Sequence, residues 1–279
     1  MEHSKGFDRA EYGLVPVRLE RLGIFLFICF DSVAPGLGRY LADFPELVAS
    51  HNLDDLVCVR RLQLDVPANW KVATENMFEG YHVPVVHGAS LGRNDYSEGM
   101  SIINGKSNEL FGADPDGPVR LWFRDSVSVM ISRHPGSNAL IAGARGFPPI
   151  ESLEGVAREG SLYSFIYPST FFPCNIDCVW YVTFFPVAAD RSTLLIGQCF
   201  PAGTVERADF PDVIENYHKR LDLSIAEDLA IMKEQQAGLG SPFARAGRLC
   251  HHEAFVHHYR NWVVDRVLGT STQGAPRGA

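Results

Sequence analysis

Short runs of apolar residues, many of them β-branched or aromatic, recur along most of the chain and constrain its fold more than any other feature. The clearest run covers residues 23–30 and gives way to the turn-forming pair Pro35-Gly36. Runs of this length, bounded by turn residues, are typical of β-strands. Comparable runs occur at 14–19, 57–66, 119–123, 127–132, 162–167, 178–187 and 193–200. The sequence therefore predicts one sheet of many strands.

Two longer segments, far apart in the sequence, instead have the periodicity of helices. The first begins after Asn69, which suits an N-cap, and is predicted to run from residue 70 to about residue 81. The second is predicted over 211–236, and further helices are predicted over 37–50 and 253–268. A sheet of many strands with a few long helices packed on it defines the α+β class, which is the fold class we expect.

The composition excludes several classes of protein. The chain has 279 residues, of which 46% are hydrophobic and 21% charged, as in globular rather than disordered proteins. Asp and Glu outnumber Lys and Arg by 33 to 25 and no basic run is present, so we expect no nucleic-acid and no membrane partner. The longest apolar run, 22–30, is far shorter than the ~20 residues of a spanning helix. With no basic-then-apolar leader at its start, the sequence predicts a cytoplasmic protein.

The six cysteines are few for this length and mostly lie in apolar, strand-like runs. Reduced, buried thiols are therefore a better interpretation than a disulfide framework. Cys174 and Cys178 form a single C-x-x-x-C pair, which is a weak metal motif because no second pair completes it.

Two histidines, His82 and His87, lie near the end of the first predicted helix. On an unbroken helix their spacing would turn the imidazoles well over a right angle apart, because each residue rotates the helix by ~100°. Pro84 disfavours helical geometry at Val83, so we expect the chain to turn there and bring His87 back towards His82. The two rings could then share a metal ion. The alternative is two unrelated histidines at a helix end, where their positive charge suits the dipole.

An aspartate interrupts the apolar stripe of the second long helix. Leu221, Ile225 and Met232 share this stripe with Asp228, whereas Glu227 points in another direction. An unpaired carboxylate on an apolar face is unfavourable, so it normally has a cationic partner. A buried Arg or Lys is one candidate partner. A metal ion shared with the two histidines is the candidate that we favour, since two histidines and one carboxylate form the facial site of non-haem Fe(II) oxygenases.

The segment from Asn69 to His87 resembles the signature of Rieske non-haem iron oxygenases, the aromatic-ring-hydroxylating dioxygenase alpha subunits. Its sequence is N-W-K-V-A-T-E-N-M-F-E-G-Y-H-V-P-V-V-H, and the family pattern is N-W-K followed by E-N-x-x-E/D-x-Y-H-x-x-x-x-H. Weaker similarities flank it, at residues 6–27 and around Glu227-Asp228. The resemblance extends from about Gly6 to Leu268.

The resemblance implies both a site and a fold. His82, His87 and Asp228 would ligate a mononuclear Fe(II), and Asn76 would lie near the iron as a polar wall residue. Glu79 would match the bridging acid that links the iron site to the [2Fe–2S] cluster of a neighbouring subunit in a trimer. The family's catalytic domain is a helix-grip (Bet v1/START-like) fold, an antiparallel sheet curled around a long C-terminal helix.

Two other residues of the first helix have supporting roles in this interpretation. Glu75 shares a helical stripe with His82 and is our candidate acceptor for the second N–H of an imidazole ligand. Tyr81 is predicted to pack the helix beneath the site.

The family's N-terminal module binds its [2Fe–2S] cluster through a Cys-x-His and a Cys-x-x-His pair. Before the signature, the only cysteines are Cys29 and Cys58, and neither is followed by a suitably spaced histidine. We therefore expect the cluster on a missing N-terminal module or on another chain, and the sequence to be a fragment, a mis-called start or a separate subunit. Residues 1–35 are predicted to be the strands that follow this module and pack on the catalytic domain, 36–268 the mononuclear-iron catalytic domain and 269–279 a flexible tail.

The resemblance implies the catalytic component of an oxygenase. We expect O₂-dependent hydroxylation of a small aromatic substrate, with oxidative N- or O-demethylation, including that of quaternary amines, as the alternative. The expected partners are a reductase or ferredoxin electron donor and further copies of the chain in a homotrimer, with or without a β subunit. Two non-catalytic alternatives stay open: a module that binds an apolar ligand, and an inactive fragment with a structural role beside an intact paralogue.

Other candidate residues have a competing structural interpretation. The segment Cys250-His251-His252, with His257-His258, is dense in possible ligands, but its aromatic residues follow helical spacing, so surface or interface histidines are favoured over a metal cluster. The aromatic residues Trp180, Tyr181, Phe184, Phe185, Phe171 and Phe172 are expected either to line a cavity or to form ordinary core. The loop Met100–Gly117 is expected to help shape the pocket.

Overall fold

A strand overlaps each predicted apolar run, although the run at 14–19 is in a strand only from residue 18, and most of the strands join one antiparallel sheet. The computed structural model describes residues 5–80, 82–88, 90, 119–133, 136–141, 143–249 and 253–269. Within these residues the strands are β1 Arg18–Leu22, β2 Phe25–Cys29, β3 Leu56–Val66, β4 Val119–Phe123, β5 Val127–Arg133, β6 Gly160–Ile166, β7 Thr170–Cys174, β8 Val179–Ala188 and β9 Arg191–Pro201.

The strands form two separate sheets rather than the single sheet that we predicted. β1 and β2 pair as an antiparallel hairpin, and the other described strands form a seven-stranded sheet in the order β3-β9-β8-β7-β6-β5-β4. Every neighbouring pair in the larger sheet is antiparallel. The sheet is open, because β3 and β4 occupy its two edges and do not pair with each other.

The helices pack around this sheet. Those in the described part of the chain are α1 Leu37–Leu41, α2 Phe44–Leu47, α3 Trp70–Phe78, α4 Val83–Val86, α5 Ala202–Val205, α6 Phe210–Leu239 and α7 Ala254–Leu268, with 3₁₀ turns at Arg9–Tyr12, Ala49–His51, Leu53–Asp55 and Gly155–Arg158. The combination of a mixed set of helices with an antiparallel sheet confirms the α+β class, and the 30-residue α6 is the long helix of the expected helix-grip arrangement. None of the described helices is both long and apolar enough to cross a membrane.

Alternation along β8 shows how the sheet is buried on both faces. Trp180, Val182 and Phe184 belong to the core that α3 and α6 cover. Tyr181 points to the other face, where its ring lies 5.9 Å from that of Phe25 in the β1–β2 hairpin. Successive side chains of a strand point to opposite faces, so one strand serves both cores.

The first long helix is shorter than predicted. α3 begins after Asn69, whose side chain accepts a hydrogen bond from the backbone N–H of Lys71 at 3.0 Å, as the N-cap prediction requires. It ends at Phe78 because Glu79 is extended, with φ −130° and ψ 149°. The chain therefore turns before His82 and not at Val83. Proline is tolerated early in a helix, where its missing N–H is not needed, and α4 contains Pro84 in its first turn.

The predicted helix over 37–50 is broken into shorter pieces. α1 ends at Leu41, Ala42 has a φ of 53°, and α2 begins at Phe44 with Pro45 in its first turn. A continuous helix would require a backbone N–H at Pro45 and would bring the proline ring against the carbonyl of Leu41.

The sequence does not predict β7. Its apolar run is short and contains Pro173, which has no N–H to donate to a neighbouring strand. The structure seats this strand between β6 and β8. Predictions for Tyr81, the loop 100–117, residues 250–252 and the tail beyond residue 269 lie outside the described residues.

Candidate metal centre

The two histidines flank α4, which is a single helical turn. His82 immediately precedes α4 and His87 immediately follows it. The backbone N–H of His87 donates to the carbonyl of Val83 at 3.0 Å, and that of Val86 donates to the carbonyl of His82 at 2.8 Å. These two bonds hold the turn closed, so both imidazoles face α6 at the point where Asp228 lies.

The three predicted ligand side chains converge on one point. The Nε2 atoms of His82 and His87 are 3.3 Å apart, and they lie 3.5 Å and 3.1 Å from Oδ1 of Asp228. Two ligand atoms that each bind an ion at about 2.1 Å, at right angles to each other, are about 3.0 Å apart. The spacing therefore fits three neighbouring positions around one metal ion.

A second carboxylate lies behind each imidazole. Nδ1 of His82 is 2.5 Å from Oε1 of Glu79, and Nδ1 of His87 is 2.8 Å from Oε2 of Glu227. An ionised carboxylate only accepts, so each Nδ1–H donates, and in the neutral form of each ring Nε2 presents a lone pair to the centre. Ser90 also donates to Oε2 of Glu227, at 2.5 Å.

This arrangement of lone pairs indicates a cation. Two imidazole nitrogens and one carboxylate oxygen face one another, and their mutual repulsion is relieved only by a positive charge among them. Burial opposes protonation of His82, but hydrogen bonds to Asp228 and Glu79 outweigh it and raise the pKa of this imidazole to about 9. Burial also opposes ionisation of Asp228, but the two histidines prevail and lower its pKa to about 2. A metal ion at this point would take the place of the proton.

Asn76 touches the centre from α3. Its Nδ2 donates to Oδ1 of Asp228 at 2.9 Å, and its side chain is buried. Asn76 therefore fixes the orientation of the carboxylate that faces the two imidazoles.

Glu75 does not have the supporting role that we predicted. Its carboxylate binds Arg260 of α7, with Arg260 Nε donating to Oε1 at 2.8 Å. The prediction assumed one helical stripe through Glu75, Glu79 and His82, but α3 ends at Phe78 and the stripe is interrupted. Glu79 and Glu227 accept the hydrogen bonds from the two imidazoles instead. The sequence feature that could have indicated Glu227 is its position next to Asp228.

A cavity of about 160 Å³ adjoins the centre. The three ligand candidates, Asn76 and Glu79 all contribute to its wall. Most of the remaining wall is apolar and includes Phe165, Phe171, Trp180, Val182, Met232 and Phe255. Trp180 and Phe171 thus line the cavity, whereas Tyr181 and Phe184 belong to the core and Phe185 is exposed.

Of the histidines at 251, 252, 257 and 258, the structure describes the last two, and these have different surroundings. His257 is exposed, and Nδ1 of His258 lies 2.7 Å from the hydroxyl of Tyr167. Among the described residues, His82, His87 and Asp228 are the one group of His, Cys, Asp or Glu side chains arranged to share a metal ion.

Comparisons with known proteins find matches along most of the chain. The family model for the ring hydroxylating alpha subunit (catalytic domain) matches residues 53–269. The glycine betaine monooxygenase oxygenase subunit of Pseudomonas aeruginosa is 20% identical over 96% of this chain. The chain spans 65% of the length of that relative. The carnitine monooxygenase oxygenase subunit of Escherichia coli K12 is 37% identical over 93 residues, which cover 31% of this chain and 24% of the relative.

Solved structures show the same fold. A quaternary ammonium Rieske monooxygenase superposes with a TM-score of 0.65 and 20% identity, over 94% of this chain and 66% of the other. A naphthalene 1,2-dioxygenase with bound indole superposes with a TM-score of 0.64 and 15% identity, over 93% and 67% of the two chains. The resemblance seen in the signature is thereby confirmed. The chain belongs to the ring hydroxylating alpha subunit family and contains its catalytic domain.

Proposed function

We propose that this chain is the catalytic part of a Rieske-type oxygenase, with His82, His87 and Asp228 as the ligands of a mononuclear Fe(II). The observation that carries the proposal is the convergence of their three lone-pair atoms within 3.5 Å of one another beside an apolar cavity. Two histidines and one carboxylate leave other positions of the ion open, as in non-haem Fe(II) oxygenases. Fe(II) held by these three residues would supply the O₂-activating chemistry that hydroxylation requires.

The residues around the three proposed ligands hold them in the orientation that metal binding requires. Glu79 and Glu227 hold the Nδ1 protons and so keep both Nε2 atoms available as ligands. Asn76 orients the Asp228 carboxylate. The aromatic and aliphatic wall of the cavity excludes water from the reacting carbon and favours a small, mainly apolar substrate.

Electrons are proposed to come from a [2Fe–2S] cluster on a module or chain outside this sequence, reduced by a reductase or ferredoxin. We assign to Glu79 the role of the acid that links the cluster of a neighbouring subunit to the iron site. The subunits would form a homotrimer, with or without a β subunit. In support, the Glu79 carboxylate contacts His82 and its side chain is partly open to the surface, with 15% of its area exposed. We place the assembly in the cytoplasm.

The domain organisation is also proposed. Residues 1–35 would be the strands that follow the cluster-binding module, 36–268 the catalytic domain and 269–279 a tail. In support, the hairpin of β1 and β2 packs on the larger sheet, where the ring of Phe25 lies 4.6 Å from that of Phe172.

Hydroxylation of a small aromatic compound is the main candidate reaction. The aromatic and aliphatic wall of the cavity suits a planar ring. Oxidative N- or O-demethylation is the second candidate, and the names of the relatives favour it: they include glycine betaine, carnitine and choline monooxygenases.

Metal content tests the site. We expect about one iron per chain after anaerobic incubation with Fe(II), and loss of that iron in His82→Ala, His87→Ala and Asp228→Ala. His257→Ala, at an exposed histidine outside the centre, is the matched control and should retain iron. A wild-type chain that binds no iron, or ligand variants that bind it as well as the wild type, would contradict the assignment and favour a metal-free binding module.

Turnover with a separately supplied Rieske protein, reductase and O₂ tests the reaction. Demethylation releases the methyl carbon as formaldehyde, whereas ring hydroxylation yields a hydroxylated arene without it. A panel of aromatic compounds and methylated amines therefore separates the two candidates. An iron-loaded chain that forms neither product under this supplementation would support the inactive structural fragment.

A further inference from the structure

Arg220 is a buried cation in the wall of the cavity. It lies on α6, with 8% of its area exposed, and contributes to the same cavity as His82, His87 and Asp228. It forms no hydrogen bond and no ion pair with any residue that the structure describes, and its Nε is buried without a partner. Its guanidinium carbon lies 6.0 Å from the centre of the Trp180 ring, which is another part of the wall.

The carboxylates of the cavity wall are directed elsewhere. Asp228 faces the two imidazoles and accepts from Asn76. Glu79 contacts both the ring and the backbone N–H of His82. Burying a charge without a partner is unfavourable, so buried guanidinium groups are normally paired. The counter-ion of Arg220 is therefore missing from the described protein and can be supplied by a ligand in the cavity.

The position of Arg220 along α6 defines where such an anion binds. Arg220, Ser224 and Asp228 are four residues apart, so they lie on one side of the helix, and all three contribute to the cavity. Eight residues of helix separate Arg220 from Asp228 by about 12 Å along the axis. The wall near these residues includes the apolar side chains of Leu221 and Ile225. A ligand can thus have its anionic group at one end of the cavity and its apolar body towards the proposed iron site.

We propose that Arg220 binds the carboxylate of the substrate, and that the substrate is a small organic acid with an apolar body. That the acid is the substrate rests on the proposed function, whereas binding of the acid by Arg220 does not depend on it. A guanidinium group suits this role, because its paired N–H donors match the two oxygens of a carboxylate. Arg220 is then a specificity-determining residue, and a neutral analogue of the same shape leaves its charge unpaired.

Binding of matched acid and amide pairs tests the proposal by calorimetry on the anaerobic, iron-loaded chain. The probes are benzoate with benzamide, and 3-phenylpropionate with 3-phenylpropionamide. Glycine betaine and carnitine form a second arm, because these zwitterions carry a carboxylate on a different body. In the first arm, we expect at least one acid to bind about 10- to 100-fold more tightly than its amide. In the second arm, which has no neutral counterparts, a zwitterion that fits the cavity should lose about 10- to 100-fold in affinity when Arg220 is replaced. One positive arm is sufficient. The arm that binds identifies the body of the substrate.

Variants separate the carboxylate contact from a general effect of charge. Arg220→Met should weaken binding of the acid by about 10- to 100-fold and leave binding of the amide within about twofold, and Arg220→Lys should recover part of the loss. Lys219→Met removes the same charge from the neighbouring, exposed position of α6 and should change neither affinity. If every acid of the panel bound equally to the wild type and to Arg220→Met, the assignment would be overturned.

Stability without ligand distinguishes a binding role from a structural one. Arg220→Met should be at least as stable as the wild type in the absence of ligand, because the substitution removes an uncompensated buried charge. A lower melting temperature together with unchanged discrimination between acid and amide would overturn the proposal. If iron binds but acids and amides bind alike, the inference fails alone; if no iron binds but Arg220-dependent discrimination persists, the proposed function fails alone.

Discussion

Glu227 and Asp228 are adjacent on α6, yet they contact the centre in different ways. Oδ1 of Asp228 lies 3.1 Å from Nε2 of His87, while Oε2 of Glu227 lies 2.8 Å from Nδ1 of the same ring. The helix turns by about 100° between the two residues, so one carboxylate reaches each nitrogen of the imidazole. Glu227 thereby sets both the tautomer and the orientation of a proposed ligand.

Glu227→Gln should lower iron affinity without removing a ligand. The amide oxygen is a weaker acceptor for Nδ1–H, and loss of such an outer partner typically reduces metal affinity about 10- to 100-fold. Competition with a chelator, followed by metal analysis, measures this change. Glu234→Gln, at an exposed position of the same helix, is the matched control and should bind iron as the wild type does. Equal affinities in the two variants would show that Glu227 does not support the site.

The convergence of the three proposed ligands was predictable from the sequence because they combine a short, specific spacing with a carboxylate on an apolar stripe. The outer partners were predictable only in part. The helical spacing of Glu75 and His82 predicted that Glu75 would accept a hydrogen bond from an imidazole. The helix ends at Phe78, however, and the Glu75 carboxylate binds Arg260 instead. Which carboxylate reaches which nitrogen depends on where a helix ends, and element ends are the least certain part of a sequence-based prediction.

At the scale of elements, the β1–β2 hairpin shows how a segment outside the large sheet is attached to it. The side chains of β2 alternate between partly buried and exposed. The ring of Phe25 makes edge contacts with Phe172 at 4.6 Å and with Tyr181 at 5.9 Å. The next residue, Leu26, points away from the sheet and is 68% exposed.

Phe25→Ala should destabilise the chain by about 2–3 kcal/mol, somewhat less than for a fully buried phenylalanine, because it removes a partly buried ring from the contact between hairpin and sheet. Urea unfolding followed by far-UV circular dichroism measures the change in the free energy of unfolding. Leu26→Ala, on the opposite face of the same strand, should change it by no more than about 0.5 kcal/mol. Similar small effects of both substitutions would indicate that the hairpin is not packed on the sheet in solution.

At the scale of the whole molecule, burial of titratable side chains links stability to pH. His51 is 0% exposed, and burial lowers the pKa of its imidazole to about 4. Burial likewise lowers the pKa of His258, against the smaller effect of Asp125, to about 4. The unfolded chain, in which a histidine has a pKa near 6.5, binds more protons than the folded chain between pH 6.5 and 4.

The free energy of unfolding should therefore decrease as the pH falls from 6.5 towards 4. The shift at His51 corresponds to about 3 kcal/mol over this window. His51→Leu cannot take up a proton, so its stability should decline less steeply than that of the wild type in denaturant titrations at pH 7, 6 and 5. His257→Leu, at an exposed position, should retain the wild-type slope. A steeper decline in His51→Leu than in the wild type would contradict the sign of the effect.

The sequence by itself determined the α+β class, the strands with clear apolar runs and the three side chains of the proposed metal site. These features depend on local periodicity and on a short spacing of residues, which a chain carries before it folds. The tertiary structure alone decided that β3 pairs with β9, that Glu227 lies behind His87, and that Arg220 is buried in the cavity wall with no hydrogen-bond partner for its Nε among the described residues. Each of these depends on contacts between residues far apart in the chain, and no local pattern encodes which distant side chain will be nearby.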